Sequence, residues 1–152
     1  MNNVEVRQAI HTDLEDLAGL FDQYRAFQGK PSDLHAARCF LKARFDHGES
    51  VVFLAREKAN PIGMAQLFPI YSSVSLARVF ILNDLFVAPT GRRIGVASQL
   101  LSAVENYAWS NNAARVSLNV AQSNVDGQAL YEAKGWRKDS EFFMYHQFPA
   151  VS

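Results

Sequence analysis

A single cysteine, Cys39, is all the chain offers for sulfur chemistry, and one thiol cannot close an internal disulfide. That fits a reducing compartment. Neither sign of charge is in excess, because fifteen Lys and Arg balance fifteen Asp and Glu. Such balance argues against a surface built for nucleic acid or an anionic membrane. No apolar run is long enough to span a bilayer and the first residues are polar, so neither a signal peptide nor a membrane segment is expected. Cytosol is the expected location. His11, His35, His47 and His146 lack metal-ligand spacing, so no metal is expected. A Gly-x-Ser-x-Gly elbow for acyl-serine chemistry is missing. So are the Gly-x-x-x-x-Gly-Lys phosphate loop, the Gly-x-Gly-x-x-Gly dinucleotide fingerprint, and internal repeats.

What remains is enough for one packed domain over residues 1–152, with 49% hydrophobic residues and eleven Phe. Val4 to Ala9 reads as a first strand. Thr12 with Glu15 suggests a capping box, followed by Leu14, Leu17, Leu20, Phe21 and Tyr24 at helical spacing. Gln28-Gly29-Lys30-Pro31 breaks that helix, and Ser32 is placed to cap a second one with Leu34, Ala37, Phe40, Leu41 and Phe45 as its apolar stripe. Cys39 is expected on that apolar face, as core. Val51–Arg56, Ile62–Tyr71 and Arg78–Val87 are rich in β-branched and aromatic residues and read as an antiparallel meander. A helix over Ile94–Trp109, a strand over Arg115–Val120, a short helix over Val125–Lys134 and a last strand over Glu141–Phe148 complete the order.

The densest information lies between Leu82 and Leu101. An apolar strand-like run turns at Pro89-Thr90-Gly91 and enters a helix through Arg92, Arg93, Gly95 and Ala97. Small residues and two cations at a helix start can direct backbone N–H groups at an anion. Asn83 and Asp84 interrupt the strand, and polar groups in such a run are costly unless paired or facing a cleft. Regular alternation sends these two to opposite faces.

Val87-x-Pro89-x-x-Arg92-x-x-Gly95-x-Ala97 resembles the acyl-CoA signature of the GNAT superfamily of N-acetyltransferases. Asn124, then Ala129-Leu130-Tyr131, then Gly135-Trp136 resembles that family's closing motif. The resemblance runs from Val4 to about Phe148. It implies the α/β GNAT fold: a mixed, mostly antiparallel sheet with splayed central strands and flanking helices. It implies acetyl-CoA as cosubstrate, with the pyrophosphate on the Arg92, Arg93, Ile94, Gly95, Val96, Ala97 and Ser98 segment. The pantetheine arm would lie along Leu85, Phe86 and Val87, with Asn124 nearby; Asn124 also reads as a helix N-cap. Tyr131, seven residues after Asn124 and four before Gly135, would protonate the departing thiolate, although a tyrosine taken in isolation reads as a packing residue. Polyamine-acetylating relatives have Glu-Asp where this chain has Asn83-Asp84, which makes Asp84 the candidate for binding or deprotonating the amine. Tyr24, Phe27 and Tyr71, with Asn83, are candidate walls of the acceptor pocket, or else core and turn residues. Gly127 stands where the family often has Ala, and reads as a slight loosening of the short helix.

The function expected is acetyl transfer to a primary amine of a small, cationic acceptor by direct attack in a ternary complex. The alternatives are a protein or peptide N-acetyltransferase, or a non-catalytic acyl-CoA-binding sensor. The two-faced apolar pattern of Phe142, Phe143, Met144, Tyr145 and Phe148 suggests a homodimer, though a strand buried within one subunit explains it equally.

Overall fold

The computed structural model describes residues 3–151. Its chain divides after Asn119 into a larger unit and a smaller one beginning at Val120.

In the larger unit five strands form one sheet in the order β1-β2-β3-β4-β5. These are β1 (Val4–Gln8), β2 (Val51–Glu57), β3 (Asn60–Ser72), β4 (Ala77–Val87) and β5 (Arg115–Ser117). The first four pair antiparallel and β5 pairs parallel to β4. Between them run α1 (Leu14–Phe27), α2 (Leu34–His47) and α3 (Val96–Ser110). The sheet is therefore mixed and mostly antiparallel, with helices flanking it, as expected.

The two faces are packed by different helices. Leu14, Leu17, Leu20 and Phe21 of α1 and Ala37 and Leu41 of α2 cluster with Val52, Leu54, Met64, Phe86 and Ala88. On the other face α3 approaches closely because Gly63 has no side chain. A Cβ there would lie 3.1 Å from Leu100 Cδ1, Val96 Cγ1 and the Phe86 carbonyl.

Local details depart from the sequence reading. Thr12 does not cap: the Asp13 carboxylate accepts from the Ile10 N–H at 2.8 Å, and a 3-10 turn over His11–Asp13 precedes α1. Asp33, not Ser32, caps α2, accepting from Ala36 N–H at 3.0 Å, while the Ser32 hydroxyl donates to Asp22. The buried stripe of α2 narrows to Ala37 and Leu41; Leu34 and Phe40 are exposed. Cys39 is two residues from each stripe member, about 200° around the helix, and is exposed with its sulfur 3.6 Å from His35 Nε2.

The smaller unit contains α4 (Val125–Ala133). No strand forms over Glu141–Phe148. The N–H groups of Glu141 and Phe142 donate instead to Asp139 Oδ1. Phe142, Phe143, Met144, Tyr145 and Phe148 are all exposed. Strand composition alone cannot make a strand, because the ladder needs a partner strand's hydrogen bonds.

Candidate functional site

β4 governs the site through a one-residue irregularity. Gln66 is registered with Asp84 but the next residue, Leu67, is registered with Leu82, so Asn83 is the extra residue of a bulge. Upstream, Phe80 faces α3, with its ring 5.5 Å from that of Tyr107. Two-residue alternation alone would place Asp84 with Phe80 and Leu82 on the α3 face. The extra residue reverses the phase, so Asp84 joins Phe86 and Ala88 toward α1 and α2. The expectation that Asn83 and Asp84 point to opposite faces fails for the same reason. Asn83 is exposed beside the carboxylate, its Nδ2 3.5 Å from Asp84 Oδ2.

Asp84 is 6% exposed. Gln66 Nε2 donates to its Oδ2 at 2.7 Å, and Ser50 Oγ donates to Gln66 Oε1 at 2.8 Å. Tyr24 of α1 hydrogen-bonds the carboxylate as well. Burial raises the Asp84 pKa above the ordinary carboxylate range, and the bonds from Gln66, Asn83 and Tyr24 work against that rise. Gln66 and Ser50 were missed in the sequence. The signal was available, since Gln66 is a lone amide in the apolar run Ile62–Ile70.

Several of the expected residues gather at Phe86, two residues along β4 from Asp84. The Tyr24 and Phe27 rings lie 6.0 and 6.5 Å from that of Phe86. The Arg92 guanidinium lies 5.8 Å over Phe27, and Arg92 Nε donates to the Val87 carbonyl at 3.1 Å. One arginine thus ties the end of β4 to the end of α1. Tyr71 is not brought to this group. It pairs with Arg78, five registered rungs beyond Gln66 and roughly 17 Å along the strand, and its hydroxyl accepts from Arg78 at 3.2 Å.

β5 pairs with β4 only at Val79, Phe80 and Ile81. Among the described residues, no strand pairs with the β5-side edge of Leu85, Phe86 and Val87. That edge runs directly into the helix junction. Pro89–Gly91 forms a 3-10 turn, and Arg93 (φ 67°) and Gly95 (φ 82°) hold left-handed backbone before α3 begins at Val96. A Cβ on Gly95 would meet nothing within 4 Å, so the space in front of the helix start is open. The Gly95 carbonyl accepts the Gln99 N–H, and the first-turn amides of Val96 and Ala97 precede the first intrahelical bond. Arg92, Arg93 and Ile94 are exposed, and Ala97 and Ser98 half-buried. An open strand edge leading to an open helix start fits an elongated ligand with an anionic end.

In the smaller unit Asn124 caps α4, its Oδ1 accepting the Gly127 N–H at 3.0 Å. A Cβ at Gly127 would lie 2.7 Å from Asn124 Nδ2, so this glycine admits the cap and does more than loosen the helix. Tyr131 is half-buried, 6.0 Å from the Trp136 ring, and burial raises its phenol pKa. Gly135 (φ 89°) ends the helix, and the Trp136 N–H donates to the Tyr131 carbonyl at 3.0 Å.

Residues 14–136 match the acetyltransferase (GNAT) family. An uncharacterized N-acetyltransferase of Bacillus subtilis (strain 168), YhfO, is 44% identical over 142 residues, 93% of this chain and 95% of its own. Aminoglycoside N(6')-acetyltransferase type 1 of Salmonella enteritidis is 26% identical over 145 residues, 95% and 99% of the two chains. The crystal structure of a probable acetyltransferase matches with TM-score 0.91 at 38% identity, over 97% of this chain and 99% of that one. An aminoglycoside N-acetyltransferase in complex with CoA matches with TM-score 0.78 at 24% identity, over 97% and 96%, a likeness of fold.

Proposed function

The chain belongs to the GNAT acetyltransferase family, and from that premise we propose that it moves acetyl from acetyl-CoA to a primary amine of a small cationic acceptor. The observation that carries the acceptor class is the buried Asp84 carboxylate, hydrogen-bonded by Tyr24, whose ring and that of Phe27 meet Phe86 on the same strand, beside an edge with no paired strand among the described residues. A carboxylate binds an ammonium, and aromatic faces hold its charge or its methylenes. The full-length similarity to an aminoglycoside acetyltransferase supports the same class.

In this reading the thioester arrives already activated, so placing the amine against it supplies much of the rate. An alkylamine with a pKa near ~10 reaches the site as a cation. Asp84 receives it and takes its proton, directly or through water, and burial suits it to that task by making it a better base. The N–C bond then forms as the C–S bond breaks. A backbone N–H on the Leu85–Val87 edge steadies the carbonyl oxygen. The first turn of α3, from Arg93 to Ser98, holds the pyrophosphate. Tyr131, placed by its motif, gives the sulfur its proton; a raised phenol pKa keeps that proton available at neutral pH.

Release of CoA thiol with putrescine, spermidine, kanamycin and a basic peptide is the direct test. Turnover of a small amine supports the proposal; preference for the peptide N-terminus moves the function to protein acetylation, and thiol release with none makes the chain an acyl-CoA sensor. Gly95→Leu should abolish CoA binding by filling the open space before α3. An unchanged affinity in the folded variant would sink the pyrophosphate assignment. Tyr131→Phe should lower kcat by about ten- to ten-thousand-fold with CoA affinity retained; wild-type turnover would leave it a packing residue.

A homodimer belongs to the same proposal. Four exposed aromatics per copy, at roughly 150–250 Å² each, would bury about 1,200–2,000 Å² in a pair, the size of a stable interface. Sedimentation giving only monomer at high concentration removes it.

A further inference from the structure

We infer that Gln66, steadied by Ser50, is a positioning residue that keeps the Asp84 carboxylate ionised and oriented for the acceptor amine. The inference rests on Asp84 being the acceptor carboxylate.

Gln66 is completely buried. It stands on the sheet face otherwise built from Val52, Leu54, Met64 and Phe86, where an apolar side chain would be cheaper. Its amide is satisfied at both ends, by Ser50 Oγ at 2.8 Å on Oε1 and by Asp84 Oδ2 at 2.7 Å on Nε2. The polarity of this chain runs one way. The amide presents its NH2 to Asp84 and the Ser50 hydroxyl donates to the carbonyl at the other end, an arrangement that suits an accepting carboxylate. An amide of this orientation cannot take a proton from Asp84. It stabilises the charged form, and the donated bond from Ser50 polarises it further.

The bulge makes the pairing possible. Asp84 is registered opposite Gln66 only because Asn83 is the extra residue. Of the groups facing the carboxylate, Tyr24 from α1 is titratable. Gln66 from β3 and Asn83 from β4 are neutral amides, and Ser50, next to β2, is a neutral hydroxyl. Both amides converge on Oδ2, the nearer being Gln66 at 2.7 Å, and anchor that oxygen.

The test uses the full chain as wild type, Gln66→Met, Ser50→Ala and Asp84→Asn. Carbon-13-labelled aspartate reports the Asp84 carboxyl titration by NMR, with Asp84→Asn identifying its resonance. The titration midpoint should rise in Gln66→Met and rise less in Ser50→Ala. With whichever of putrescine, spermidine and kanamycin turns over fastest, kcat/KM near neutral pH should fall about tenfold to a hundredfold in Gln66→Met. The acid limb of its pH profile should move upward, and the KM for acetyl-CoA should hold. An unmoved midpoint and acid limb in a folded Gln66→Met overturns the inference. If that variant does not fold, Ser50→Ala decides alone, and an unmoved midpoint there overturns it. Wild-type amine kinetics in Asp84→Asn would instead remove the acceptor role of Asp84, while the NMR midpoint still judges the hold of Gln66 on the carboxylate.

Discussion

Asp13 and Asp84 are buried almost equally, at 3% and 6% exposure, yet their surroundings push them in opposite directions. Asp13 accepts both Arg7 Nη1 and Nη2 at 2.8 Å and also Arg56 Nη2 at 3.1 Å. The Arg7 bonds hold its carboxyl below the ordinary range despite burial. Asp84 has neutral partners, so burial prevails and its carboxyl rises. The first is a clamp joining β1, β2 and the start of α1. The second has only neutral hydrogen-bond partners, which is why it is the group we propose for a cationic amine. Burial of an acid therefore says little about function until the sign of its partners is known.

The largest effect should come from the uncompensated acid. Asp84→Asn should reduce kcat/KM for the amine by about a hundredfold or more, as expected when a general base is lost, with acetyl-CoA binding retained. A folded variant with wild-type kinetics would dissolve the contrast. Its stability should move the other way. A raised folded pKa means that the native state loses stability as pH rises through that pKa and regains it as pH falls. Asp84→Asn should accordingly melt higher than wild type at neutral pH, and the gap should close on acidification.

Asp13→Asn comes next and should destabilise. Breaking a buried pair costs roughly 3–5 kcal/mol, and the half-open Arg7 side chain favours the lower end. For a chain of this length that corresponds to a Tm lower by roughly 6–12 °C. The sign of its pH dependence is that of a depressed acid: the stabilisation is complete above the unfolded carboxylate pKa and is lost as pH falls through the folded one. Wild type and Asp13→Asn should converge in acid, which thermal melts across pH will read. Equal melting at neutral pH would mean that the clamp contributes nothing.

Tyr24→Phe should have the smallest effect. It removes one of the bonds on Asp84 while keeping the ring against Phe86. The acid limb of the amine pH profile should shift upward with a loss of several-fold, on the order of one hydrogen bond. An unmoved limb would make Tyr24 a wall of the pocket and nothing more.

The residues themselves determined a good deal of this. Val87, Pro89, Arg92, Gly95 and Ala97 mark the strand-to-helix junction, because small residues and turn formers are local requirements of a backbone that bends there. The meander and the helices α1 and α3 follow from apolar period, a property of neighbours along the chain. The polar break at Asn83-Asp84 stood out by its cost in an apolar strand. Three things were decided only in tertiary structure. The face on which Asp84 lies depends on where β3 and β4 slip by one residue, and a slip belongs to the pairing of two strands. The partnership of Ser50, Gln66 and Asp84 joins residues 16 and 18 positions apart, which no local pattern encodes. The segment Glu141–Phe148 has a strand's composition and no strand, since a strand exists only where a second one meets its hydrogen bonds.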